Sequence, residues 1–78
     1  MRKLKYVRHH YGFVIFDEIV QHNDIRVDDI VSAGFCSISS ASEELSASCW
    51  GESVSLNLKS RDDDSEAMTK FLNKENYF

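Results

Sequence analysis

The run from Phe35 to Trp50, FCSISSASEELSASCW, constrains the fold more than any other part of this sequence. It begins and ends with an aromatic residue beside a cysteine, and between them small or apolar residues alternate with serines. Side chains alternate between the two faces of a strand, so a hairpin with its loop at Ala41 to Glu44 brings like residues opposite like. In that register Ser40 faces Leu45, Ile38 faces Ala47, Cys36 faces Cys49 and Phe35 faces Trp50. A slip of one residue would bury the serines and expose the apolar set, so the register is strongly specified.

The same alternation runs on. Gly51-Glu52 reads as a two-residue turn with glycine first, as a type II′ turn prefers, which sets Cys49 against Val54, Ala47 against Leu56 and Leu45 against Leu58. One face then holds Cys36, Ile38, Leu45, Ala47, Cys49, Val54, Leu56 and Leu58. The other holds Phe35, Ser37, Ser39, Ser46, Ser48, Trp50, Ser53, Ser55, Asn57 and Lys59.

Upstream, LKYVRHHYGFVIF places two runs rich in β-branched and aromatic residues around a turn containing Gly12, with Leu4, Tyr6 and Ile15 on a shared face. The following DEIVQHNDIRVDDIV has mixed apolar spacing and reads as short helical turns leading into a strand. The last segment, DDDSEAMTKFLNKENYF, reads as a helix that covers the apolar sheet face. Asp63 at its N-cap with Glu66 three residues on resembles a capping box, and Ala67, Met68, Phe71 and Leu72 fall on one stripe. The expected architecture is a single α+β domain over residues 1–78. It has an antiparallel sheet of about five strands, built from two hairpins and a C-terminal three-stranded meander, with the C-terminal helix on one face.

Composition limits what such a domain can do. A chain of 78 residues with 42% hydrophobic and 28% charged residues suits a small folded protein and argues against a deep active-site cleft. No apolar run approaches the ~20 residues that cross a bilayer, and the basic start MRKLKYVRHH lacks a following signal-peptide core. A cytoplasmic location is expected, with both cysteines reduced and no membrane partner. The net charge of −4 hides an asymmetry, because Arg2, Lys3, Lys5 and Arg8 leave only five bases against 13 acids in the remainder. That balance disfavours nucleic acid as a ligand and favours basic protein surfaces.

The residue types that carry chemistry have simpler explanations. Cys36, Cys49 and the histidines His9, His10 and His22 lack the short ligand spacing of a zinc site, and the hairpin register makes both cysteines core residues. No serine sits in a nucleophile motif, and the histidines are expected in an exposed turn and loop. The acids Asp62-Asp63-Asp64 lack the alternating spacing and glycine of a calcium loop, so helix capping is their expected role. No phosphate-binding glycine loop is present, and no enzyme activity, cofactor or metal is expected.

The serine face remains as the candidate partner-binding surface, formed by Phe35, Ser37, Ser39, Ser46, Ser48, Trp50, Ser55 and Asn57. Short side chains allow close approach, and tryptophan is a frequent binding anchor. The expected function is non-enzymatic: binding of a protein partner, or homodimerisation, through this face. The alternative is an acidic inhibitor or nucleic-acid mimic of a mobile element. It would present Asp17, Glu18, Asp28, Asp29, Glu43, Glu44 and Asp62 to Asp64 to a basic groove.

Overall fold

The computed structural model describes residues 3–25, 27–42 and 44–74, so Glu43 of the acidic set lies outside the described residues. Strands β1 (Leu4–His9) and β2 (Gly12–Asp17) form a hairpin around His10-Tyr11, with Tyr6 opposite Ile15 and Leu4 opposite Asp17. Strand β3 (Ser32–Ala41) lies antiparallel between β1 and β4 (Glu44–Trp50), giving a four-stranded sheet in the order β2-β1-β3-β4. Short strands β5 (Glu52–Ser53) and β6 (Leu58–Lys59) make a separate two-stranded ladder, and helix α1 (Asp64–Lys74) ends the described chain. The α+β class and the helix-covered sheet are as the sequence leads one to expect.

The central hairpin has the register its alternation dictates: Phe35 faces Trp50, Cys36 faces Cys49, Ile38 faces Ala47 and Ser40 faces Leu45. Tyr6, Phe13, Cys36, Ala47 and Met68 form the buried core, with Leu4, Ile15, Ile38, Cys49, Ala67, Phe71 and Leu72 packed around it. The stripe of α1 expected to face the sheet therefore does so. Tyr6 and Phe13 are tilted at 5.9 Å between ring centroids, and Phe13 and Phe71 at 5.5 Å, geometries favourable to aromatic pairs.

The third strand of the meander is corrected. Residues beyond Gly51 do not pair with β4; Glu52 faces Lys59 and Ser53 faces Leu58 in their own ladder, and Val54 is 85% exposed. The physical reason lies on the outer edge of β4, which α1 occupies instead. The amide of Cys49 donates to Ser65 Oγ at 2.8 Å and that of Ala47 to Thr69 Oγ1 at 2.9 Å. Leu45 gives its N–H to Asn73 Oδ1 and takes Asn73 Nδ2–H on its carbonyl, each at 2.9 Å, as a neighbouring strand would.

This fit follows from two rises. Residues four apart on a helix advance about 6.0 Å, and residues two apart on a strand advance about 6.8 Å. Ser65, Thr69 and Asn73 thus meet Cys49, Ala47 and Leu45 in turn as the helix runs antiparallel to β4. Polar side chains replace a fifth strand and blunt the edge.

At the other side of the sheet, Gly12 holds a φ of +145°, and a Cβ built on it would lie 2.4 Å from Phe71 Cε1. The glycine lets the helix reach across to the first hairpin. Gly12→Ala is expected to cost about 1–3 kcal/mol through overpacking, in addition to backbone strain. Urea unfolding of Gly12→Ala, Phe71→Ala and the double variant should show a smaller loss in the double than the sum, because removing the ring removes the clash.

Candidate functional site

The second face of the sheet is divided into two unlike halves. Over β2, β1 and the start of β3 it is covered by the segment after β2, which contains a 3-10 turn at His22–Asp24. Lys5 Nζ donates to the Val20 carbonyl at 2.9 Å, and the Val31 amide donates to the Arg8 carbonyl at 2.8 Å, which tie the segment down at both ends. Val7 and Ala33 beneath it are fully buried.

His22 is the centre of this cover and not an exposed loop residue, a correction to the sequence reading. It is 5% exposed, and its ring meets Phe16 at 5.4 Å and Phe35 at 6.0 Å, both edge-on. Its Nε2 lies 2.9 Å from the Gly34 carbonyl, which can only accept, so Nε2 carries a proton. That bond satisfies Nε2 of a ring otherwise flanked by aromatics. Nothing in the spacing of DEIVQHNDIRVDDIV signals it.

The other half, over the β3–β4 hairpin, is open. Ser39, Ser46 and Ser48 are exposed, Ser37 is half-buried, and Trp50 is 42% exposed at the end of the row. Phe35 stands opposite Trp50, braced by His22 and by Lys3, whose Nζ sits 4.7 Å from the Phe35 ring centroid. Of the residues assigned to the serine face, this half unites Phe35, Ser37, Ser39, Ser46, Ser48 and Trp50.

Ser55 and Asn57 do not join them, and Ser53 and Lys59 leave the sheet as well. Ser55 and Asn57 lie in the turn between β5 and β6, where Asn57 has a φ of +55° and donates its N–H to Val54. Ser53 is buried, and its Oγ accepts the Leu56 amide at 3.3 Å. These displacements share the cause given above: β4 has no strand partner beyond β3.

A polar cluster that the sequence reading missed lies on the helix side. Asp64 is fully buried at the start of α1. Tyr6 Oη donates to its Oδ2, as does the Arg61 amide at 2.9 Å; Ser32 Oγ donates to Oδ1 at 3.0 Å and Arg8 Nη1 to Oδ1 at 2.9 Å. Burial alone would raise the carboxyl pKa, but these four donors outweigh it and hold the group below its ordinary range. Burial first, then the bond to the Asp64 carboxylate, drives the Tyr6 hydroxyl well above its ordinary value.

This arrangement also replaces the expected capping box. Asp63 turns to Arg8 at 3.1 Å and Glu66 pairs with Lys70 one turn on at 3.0 Å, while Asp64 reaches back to the Arg61 amide as the return half of a box begun earlier. In the acidic alternative, Asp64 is therefore removed from the surface. Glu18, Asp28, Asp29, Glu44, Asp62 and Asp63 remain exposed, Glu18 paired with Lys3 and Asp63 with Arg8.

The chemistry of the cluster is that of an anchor. The groove of about 280 Å³ between the first hairpin turn and the helix is lined by Arg8, but not by Tyr6, Ser32 or Asp64. Burial, and secondarily the facing thiol, push Cys36 up to about 12; burial, and then the Asp64 charge, push Cys49 up to about 11, so both stay protonated at neutral pH and both are free. Among the described residues, no group of three or more histidine, cysteine, aspartate or glutamate side chains is arranged to hold a metal ion.

Comparison with protein-family models, with curated proteins and with solved structures finds no match to this chain. The site therefore has to be read from its own geometry.

The anchor gives a pH prediction. A carboxyl whose folded pKa is depressed contributes stability above its unfolded value, about 3.9, and loses it as pH falls through the lower folded value. Asp64→Asn should therefore lower stability at neutral pH and flatten the acid limb of the stability profile. Asp64→Ala should cost about 3 kcal/mol, the lower end for a broken buried pair because Arg8 keeps contact with water. Urea melts from neutral to acid pH measure both effects, and an unchanged acid limb would place the anchor elsewhere.

Proposed function

We propose that this protein is a non-enzymatic binding module that docks a protein partner through the open half of the second sheet face. The observation that carries the reading is Trp50, 42% exposed at the end of a flat row formed by Ser37, Ser39, Ser46 and Ser48. A half-exposed tryptophan costs free energy in water and recovers it when a partner covers it. Its neighbour Phe35 is held by His22 and Lys3, so the anchor pair is preorganised and loses little side-chain freedom on binding. The serines bring a partner's backbone close and offer hydroxyls that both donate and accept.

The same features favour binding over catalysis. The polar cluster with the most convergent hydrogen bonds, around Asp64, is sealed in the interior, and the thiols are protonated. The second reading, an acidic inhibitor or mimic directed at a basic groove, has the exposed pair Asp28-Asp29 in its favour.

Salt and substitution separate the two. Capture from an extract of the native host should survive about 1 M salt, where the screening length is about 3 Å, and should be lost on Trp50→Ala. Binding that disappears at high salt and on Asp28→Asn/Asp29→Asn, but tolerates Trp50→Ala, would replace the first reading by the second. Because Trp50 is not part of the buried core, Trp50→Ala should reduce capture far more than stability, with the melting transition as the control.

A further inference from the structure

The two edges of the sheet are not alike. On β4 the closing pair of the hairpin is Ala41 with Glu44, and the alternation of an antiparallel ladder then turns the backbone groups of Leu45, Ala47 and Cys49 outward. Those are the residues that Ser65, Thr69 and Asn73 engage. On β2 the closing pair is His9 with Gly12, and the same alternation turns the N–H and C=O of Phe13 and Ile15 outward. Here no counterpart exists: among the described residues, Phe13, Val14, Ile15 and Phe16 make no hydrogen bond outside the β1–β2 ladder.

Strand β2 carries little that keeps edges apart, its single charge being Asp17 at its far end. Its sequence GFVIFD has neither lysine nor proline, and its pairing with β1 runs without a bulge. Among the described residues, two of the four exposed large apolar side chains flank it, Tyr11 at 92% before it and Ile19 at 84% after it.

We infer that β2 pairs antiparallel with β2 of a second copy of this chain, making one eight-stranded sheet across a two-fold axis. Three observations select a second copy over an unrelated strand. Opposite residues of an antiparallel pair share a face, so the axis passes through a residue; at Val14 it sets Phe13 against Ile15 of the other copy. That register also places Phe16 of one copy over Gly12 of the other, an aromatic covering a glycine. Antiparallel pairing also brings each exposed Ile19 near the exposed Tyr11 of its mate. Because a two-fold normal to the sheet preserves its faces, both Trp50 side chains lie on the same side, which makes the docking surface bivalent.

Light scattering of the full chain over a dilution series tests this. The molar mass should double with concentration, and the Phe13 and Ile15 amides should become protected from hydrogen exchange only where it does. Val14→Lys and Val14→Asp, each repelling its own copy across the axis, should be monomeric with cooperative melts, and an equimolar mixture should recover the doubled mass. Trp50→Ala should dimerise like the wild type, which keeps this inference separate from the docking surface. A monomer at every concentration, exposed Phe13 and Ile15 amides in the dimer, or a dimer abolished by Trp50→Ala would overturn it.

Discussion

The structure depends on how the outer edge of β4 is satisfied. An edge strand presents a row of backbone donors and acceptors that must find water, another strand or side chains. In this protein three side chains four residues apart on α1 supply them, and Asn73 does so with both atoms of its amide. Each such bond contributes roughly 0.5–1.5 kcal/mol net, so the ladder matters less as a sum of energies than as a ruler. It fixes the helix antiparallel to β4 and so decides which residues of α1 face the core. Met68 is thereby placed over Cys49, with their sulfurs 3.8 Å apart, and Phe71 over Gly12.

Asp64 holds the opposite end of the same helix. A fully buried carboxylate is costly unless all its acceptor capacity is used, and here donors from Tyr6, Ser32, Arg8 and the Arg61 backbone use it. Tyr6 and Arg8 come from β1 and Ser32 from β3, so the cluster pins the helix start to the middle of the sheet while the ladder pins its length to the edge. The two devices are complementary: one is short-range, charged and sensitive to acid, the other neutral and spread along the strand.

Much of this was legible in the sequence where periodicity and burial agree. The Phe35–Trp50 hairpin was readable to the residue because one face is apolar and the other is not, and a slip would invert both. The stripe Ala67, Met68, Phe71 and Leu72 was readable for the same reason. The third strand of the meander was not, because Ser53 to Lys59 alternates well enough to be a strand and periodicity does not rank competitors for one edge. The signal that could have resolved it was a second stripe on the helix, Ser65, Thr69 and Asn73, polar and four apart beside the apolar one. Asp64 was hidden in a run of three acids, where spacing alone does not tell the buried member from the exposed ones. The candidate site was half legible: its six hairpin residues stand together, but the cover built around His22 comes from a segment without clear period.

The consequence for function is geometric. Helix and cover segment close one edge and most of both faces, which leaves the Trp50 row and the β2 edge open among the described residues. That division rests on the helix acting as the missing strand, and amide hydrogen exchange of Leu45, Ala47 and Cys49 tests it most directly. The account predicts that these outward-facing amides are protected nearly as well as the core of the sheet, and that Thr69→Val releases Ala47 first. Exchange of all three at the rate of an open edge, unchanged by Thr69→Val, would contradict it.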